Sequence, residues 1–260
     1  VIVDNRAGGG GQMGVETAVH ATPDGYTVII MSGSYATNAA MFKLNFDPAN
    51  DILPMGLIGD TAFILVVHPN VPVKSVAELV ALAKAKPNTI NYASSGTGGI
   101  AHLSGELFDL LAGTKMTHIA YKGTGPAMND LLGGHVPVAF GVLPPAMGNL
   151  AAGTLRGMAV LDNRRFSLLP DVPTANESAL PGYITESWNG IMTTGGTPRS
   201  VIDTLSRAML RVMATDNMKN RMMTLGADVT PMGPDEFAAY VKADDKRLTP
   251  IIKSLDMKSN

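Results

Sequence analysis

Short apolar runs with strand character alternate with stretches of helical period along the chain, and this alternation calls for α/β units built on mostly parallel sheets. Val1-Ile2-Val3 leads into a glycine loop and a helix, Pro23-Asp24-Gly25-Tyr26 turns the chain into a strand over Thr27 to Met31, and a strand-rich stretch follows from Ile52. After Pro69-Asn70-Val71-Pro72 a new unit opens. Ser75-Val76-Ala77-Glu78 reads there as a capping box before a helix over Val76 to Ala85. A strand over Thr89 to Ala93, the loop and helix after it, a strand at Thr117, a helix at Pro126, and strands at Val136 and Leu155 complete that unit. The proline-bearing stretch from Asn163 to Gly182 reads as a loop, and Tyr183 to Met192 as an extended segment that crosses back. Later helices, one capped by Thr197 with Pro198 at its first position and one opened by Gly233-Pro234-Asp235, are too little for a third lobe. The expectation is two lobes, residues 1–67 with 192–260 and residues 68–191, joined by crossings near Val66 and near Glu186. Two crossings make a hinge, and hinged lobes hold ligands in the cleft between them.

The most informative loop is Asn91-Tyr92-Ala93-Ser94-Ser95-Gly96-Thr97-Gly98-Gly99-Ile100-Ala101-His102-Leu103, where a strand runs through small hydroxyl and glycine residues straight into a helix. The first N–H groups of a helix lack intrahelical partners and carry the positive end of its dipole, so such a loop can cradle a carboxylate or phosphate. Glycine would let a ligand reach the backbone, and Ser94, Ser95 and Thr97 add hydroxyl donors. Strand-to-helix turns of this composition also occur with no ligand, so the loop needs companions. Tyr121-Lys122-Gly123-Thr124-Gly125-Pro126 is one, ahead of a helix that Pro126 would start. Asn5 to Gly14 is another, and Gly9, Gly11 and Gly14 within it have the G-x-G-x-x-G spacing of dinucleotide sites.

The dinucleotide reading fails on its own terms. It needs an acidic residue at the end of the next strand, whereas Thr27 to Met31 ends in Ser32-Gly33-Ser34. A nucleoside triphosphate fares no better, because no G-x-x-x-x-G-K-[ST] occurs. A net charge of −2 without a basic cluster argues against nucleic acid. Aromatic content of 5% makes a carbohydrate less suitable than a small acid. Cysteine is absent, which excludes thiol catalysis and disulfides, and His20, His68, His102, His118 and His135 lack zinc-site spacing. They read as surface or satisfied core histidines, with His102 the exception by its place after the loop. No cofactor or metal is called for. The longest apolar run, Ala62 to Val67, is far short of the ~20 residues that span a bilayer.

Taken in order, several runs mark a family. They are Val3-Asp4-Asn5-Arg6 into Gly8 to Gly14, Pro23 to Thr27, Tyr92 to Gly99 with His102, Tyr121-Lys122-Gly123 with Pro126-Ala127 and Asp130 to Gly134, Leu169 to Thr174, and Gly195 with Thr197-Pro198. On these the chain resembles the periplasmic solute-binding proteins of tripartite tricarboxylate transporters, the Bordetella uptake gene family. The resemblance implies a two-lobed α/β periplasmic binding protein of the Venus flytrap kind, exported to the periplasm, which captures a small carboxylic acid and delivers it to membrane permease subunits. Family members usually open with a further strand and a loop of the type Pro-x-x-x-Gly-Gly-x-x-Asp before the segment that is Val1 to Arg6 here. With that portion lacking and Val in first place, the expectation is a truncated or processed chain with part of the first lobe missing.

In this reading Ser95, Gly96, Thr97 and Gly98 hold a carboxylate through backbone N–H groups and hydroxyls, and Tyr121, Gly123 and Thr124 line the same wall. Ser32, Ser34 and Asn38 would meet the ligand from the first lobe, although strand-end serines often only cap turns. Trp188, on the second crossing, either lines the cleft or packs the hinge. The methionines, at helical spacing between Ala208 and Met223, read as core filler. The expected protein is a monomeric transport receptor. An enzyme acting on a small acid is the alternative, opposed by the lack of a nucleophile or base with an orienting partner in the loop and by the lack of a G-x-S-x-G elbow. A sensor that presents the closed form to a membrane receptor is a third, inseparable by sequence.

Overall fold

The computed structural model describes residues 1–255 except Ser167 and Glu186. The polypeptide divides into two compact units, Val1–Asp60 with the chain from Trp188 onward, and Thr61–Ser187. The first unit begins with a glycine loop and helix α1 (Gln12–Val19), then strand β1 (Val28–Ser32), α2 (Ser34–Met41) and β2 (Ile52–Thr61). The second holds β3 (Phe63–Val67), α3 (Val76–Ala85), β4 (Asn91–Ser94), α4 (Ile100–Ala112), β5 (Thr117–Ala120), α5 (Thr124–Leu132), β6 (Val138–Val142), α6 (Met147–Ala151) and β7 (Arg156–Val160). The chain then completes the first unit with β8 (Ser187–Thr194), α7 (Arg199–Met213), α8 (Asp216–Thr224), β9 (Ala227–Asp228) and α9 (Pro234–Ser254). No described helix is long and apolar enough to cross a membrane.

The second unit is a five-stranded sheet in the order β5-β4-β6-β3-β7. β4 runs parallel to both β5 and β6, while β3 is antiparallel to β6 and β7. The sheet is therefore mixed rather than mostly parallel: only the β4-α4-β5-α5-β6 segment consists of helical crossovers, and these force parallel neighbours. β4 lies between β5 and β6, and all three run parallel, so the carboxyl ends of β4 and β5 lie side by side and their loops adjoin. Open α/β sheets bind ligands at such strand ends. β3, Phe-Ile-Leu-Val-Val, is buried at every position, which fits a strand covered on both faces. Ile64, Val66, Ala93, Leu131, Val136, Leu143 and Leu155 form its core.

The first unit carries a four-stranded sheet in the order β1-β8-β2-β9, with β1 and β8 antiparallel. Trp188, Phe237, Tyr35, Ile52, Leu57 and Met192 fill its core. Val1 to Val3, read above as a strand, stand exposed and pair with no strand among the described residues.

The divisions fall at Asp60–Thr61 and Ser187–Trp188, whereas the sequence put lobe bounds after residues 67 and 191 and crossings near Val66 and Glu186. Val66 is an interior residue of β3, paired with Ala139 on one side and Gly157 on the other, and cannot be a linker. Tyr183 and Thr185 belong to the second unit: the Tyr183 hydroxyl donates to the Ser104 carbonyl at 2.6 Å and the Thr185 amide to the Leu161 carbonyl at 3.0 Å. Glu186, expected at the second crossing, lies outside the described residues.

Local signals fared unevenly. The Ser75 half of the α3 capping box forms, with Ser75 Oγ accepting the Glu78 amide at 3.2 Å, while the Glu78 carboxylate reaches one residue further back and accepts the Lys74 amide at 2.7 Å. Thr197 does not cap α7, because its hydroxyl bonds the Thr194 carbonyl and Thr193 instead, and Pro198 takes the N-cap position. The methionines of α8 are not core filler. That helix buries none of its residues, and of the α7 methionines only Met213 is buried.

Candidate functional site

β4 delivers Ser94 and Ser95 to the end of the sheet, and the loop Ser95–Gly99 turns into α4 with Gly99 at the N-cap position. The turn depends on Gly96 and Gly98, which adopt φ of 144° and 79°, a region closed to most side chains. This backbone points two amides back into the unit. The Gly96 N–H donates to Ser94 Oγ at 3.2 Å and the Gly98 N–H to His102 Nδ1 at 3.3 Å. The Gly96 and Gly98 amides, expected to face a ligand, each have an acceptor inside the unit. Ser95 and Thr97, half-buried, have hydroxyl and amide groups with no hydrogen-bond partner among the described residues, and these are the donors the loop leaves available.

The second loop adjoins the first. The Tyr121 amide donates to the Ser94 carbonyl at 3.1 Å and the Gly123 amide to the Ser95 carbonyl at 3.0 Å. α5 starts at Thr124, with Gly123 as N-cap, two residues earlier than the proline signal suggested. Pro126 sits third in the helix, where its missing N–H costs nothing because first-turn amides lack partners anyway. Thr124 is half-buried at the start of α5. The Tyr121 hydroxyl is engaged with Asp130 Oδ2 at 2.7 Å, so Tyr121 is a braced wall rather than a free donor. Of the expected residues, the structure brings Ser95, Gly96, Thr97, Gly98, Tyr121, Gly123 and Thr124 into two linked loops.

Behind the loops lies a layer that sequence reasoning passed over, with Tyr92, Ser94 and His102 buried and His118 and Glu106 half-buried. The His102 and His118 rings stack at 3.8 Å with an 11° tilt, and Tyr92 stacks on His118 at 5.0 Å. Ser94 Oγ lies 2.6 Å from His118 Nε2. The Tyr92 hydroxyl donates to Glu106 Oε1 at 2.7 Å, and Glu106 stands 3.7 Å from His102 Nε2. Desolvation, joined by the neighbouring His118, lowers the pKa of His102 to about 3, and desolvation lowers that of His118 to about 4. Both imidazoles are neutral at pH 7. Because Gly98 donates to Nδ1 of His102, the proton of that ring sits on Nε2, toward Glu106. The only trace in the sequence was the helical position of His102, in the first turn of α4; His118 on β5 gave none.

Ser94 with His118 also supplies the nucleophile–base geometry that the sequence seemed to lack. It is not presented to a substrate, because Ser94 is 1% exposed and its hydroxyl oxygen already accepts the Gly96 amide.

In the first unit, Ser32 ends β1 and Ser34 begins α2, both half-buried. Asn38 is 5% exposed; its side-chain amide donates to the Gly10 carbonyl at 3.1 Å, which props the glycine loop, and its Oδ1 has no hydrogen-bond partner among the described residues. Trp188 is 1% exposed, with its indole N–H on Asp244 Oδ2 at 2.8 Å and its ring edge-to-face with Phe237. It is a core residue of the first unit and lines no open surface.

Comparison with known proteins places this geometry. A family model described as the tripartite tricarboxylate transporter family receptor matches residues 1–257. Among solved structures, the periplasmic binding protein BugD superposes with a TM-score of 0.94 at 29% identity, over 100% of this chain and 88% of that one. Rpa4515 of R. palustris with adipate gives 0.94 at 32% identity, over 98% of this chain and 86% of that one. MatC from Rhodopseudomonas palustris with bound malate gives 0.88 at 27% identity, over 94% and 85% respectively.

Proposed function

The chain belongs to the tripartite tricarboxylate transporter receptor family, with the two-lobed α/β fold of periplasmic binding proteins, and from that membership we propose that it captures a small di- or tricarboxylate, or an aromatic acid, in the periplasm and hands it to the membrane subunits of a transporter. The observation that carries this reading is the pair of linked helix-start loops whose remaining donors, on Ser95 and Thr97, are neutral. One carboxylate group would take the Ser95 and Thr97 hydroxyls and amides, with Thr124 at the adjoining helix start. The dipole of α4 adds roughly 0.3–1 kcal/mol, up to about 2 when desolvated. Neutral donors hold an anion without demanding a fixed count of charges, which suits a receptor that must also release it. Ser32 and Ser34 are proposed as contacts from the first unit. That relatives hold adipate and malate supports the choice of an aliphatic diacid as the first ligand to try.

The protein is a receptor and not an enzyme, as its family and structural neighbours are. A thermal-shift screen of mono-, di- and tricarboxylates tests the ligand class. At about 100 times its dissociation constant a bound acid stabilises the fold by about 2.7 kcal/mol. If no carboxylate in the panel raised the melting temperature, the carboxylate reading would be lost; the acid that does should be recovered chemically unchanged.

A further inference from the structure

We propose that His102 is a positioning residue for the ligand loop, a neutral acceptor that latches the Gly98 amide inward and thereby leaves Ser95 and Thr97 as the donors that face a ligand. The inference rests on the carboxylate reading above. Its physical basis is the pair of inward amides. Gly96 and Gly98 alternate with Ser95 and Thr97 along the loop, and each glycine amide ends on an acceptor of the buried layer, Ser94 Oγ or His102 Nδ1. The two acceptors belong to one assembly. Ser94 is fixed by His118 Nε2 at 2.6 Å, and His118 is stacked on His102 at 3.8 Å. Ser94 Oγ, which accepts from Gly96, also lies within reach of the Gly96 carbonyl at 3.3 Å and of His118 Nε2 at 2.6 Å, so His102 is the ring whose acceptor role toward the loop is fixed.

A latch of this kind has a consequence that simple electrostatics reverses. A protonated imidazole behind an anion site would attract the anion, yet protonated His102 has no lone pair on Nδ1 and cannot hold the Gly98 amide. The latch therefore works only with a neutral ring. The groups facing His102 are Glu106 one turn along α4, His118 on β5, and Tyr92 on β4, whose hydroxyl is 3.5 Å from the His102 carbonyl. Among them only Glu106 could stabilise a proton on His102, and its carboxylate already accepts the Tyr92 hydroxyl.

The test uses His102→Asn, which places an amide oxygen near the position of Nδ1, against His102→Leu, which removes the acceptor. If His102→Leu fails to fold, His102→Gln replaces it, since its polar end reaches the place of Nε2 instead. In the ligand-free protein, nitrogen NMR should find His102 as the Nε2–H tautomer, with the Gly98 amide protected from exchange. His102→Asn should keep that protection and His102→Leu should lose it. Affinity for adipate or malate should fall about tenfold or more in His102→Leu and be largely retained in His102→Asn. Finding the proton on Nδ1, an unprotected Gly98 amide in the wild type, or unchanged affinity with the amide released would each overturn the latch. The NMR readings need no ligand, so failure of adipate and malate to bind the wild type would count against the carboxylate reading and leave the amide and tautomer results to decide the latch.

Discussion

At the scale of single residues, Thr97 and Trp188 should separate binding from folding. Thr97→Val keeps the volume of a half-buried side chain whose hydroxyl has no described partner, so the fold has little to lose. If that hydroxyl meets the carboxylate, affinity should fall by roughly 1–3 kcal/mol in calorimetry while the ligand-free melting temperature barely moves. Trp188→Phe should do the opposite. It strips Asp244, 7% exposed, of its indole donor and leaves that carboxylate with Arg247, so stability to urea should drop by about 1–3 kcal/mol with affinity intact. Loss of affinity without loss of stability would return Trp188 to the ligand. Composition marked Ser95, Thr97 and the glycines as a loop because small residues there have few other uses. It could not say which amides face in, since that depends on φ at Gly96 and Gly98 and on where the Ser94 hydroxyl and the His102 ring, at the start of α4, come to lie.

At the scale of elements, the ligand loop is only as firm as the packing of α4 on β4. Gly105 in α4 lies directly over the Tyr92 ring, where an added Cβ would overlap it. That close approach lets Tyr92 reach Glu106 and stack on His118, beneath the loop. Gly105→Ala should raise intrinsic helix propensity yet destabilise the protein by about 1–3 kcal/mol through overpacking, and chemical denaturation would read the net sign. A stabilised variant would mean that the ring moves aside freely and that the buried layer is soft. Local signals served elements best where one residue type does one job, as at Ser75 and Glu78 ahead of α3. They misled where a side chain had a second partner within reach, as Thr197 did in Thr193 and Thr194, and where methionines at helical spacing lie on α8, a helix of mostly charged and polar residues that buries none of its positions.

For the whole molecule, alternating patterns made two α/β units legible, but the places where the chain passes between them depend on strand pairing at long range. Ala62 to Val67 reads as an apolar run whether it is a linker or the strand it proves to be, and only its pairing with β6 and β7 decides. The same long-range assembly couples the histidine layer to global stability. His102 and His118 titrate at about 3 and about 4 in the folded protein, below the ordinary value of 6.5 that the unfolded chain regains. A depressed histidine pKa means that the unfolded state binds the proton first. The stability held above pH 6.5 is therefore lost as the pH falls toward about 4 and then about 3, with up to one proton taken up on unfolding for each ring. Glu106 and Asp109 work against this, because burial raises their pKa values and so favours the folded state on the acid side. Tyr92 and Tyr183, raised further still by burial, stay neutral throughout. Urea unfolding from pH 7 down to 4.5 should accordingly show a steady decline, flattened in the double variant His102→Asn/His118→Gln, which keeps a hydrogen-bonding amide at both positions and removes both titrations. Because His20, His68 and His135 are present in both proteins, their contributions cancel in the difference. Parallel slopes for the two proteins would mean that the two rings are not held neutral by burial, and that the inward latch of the loop lacks the neutral acceptor it requires.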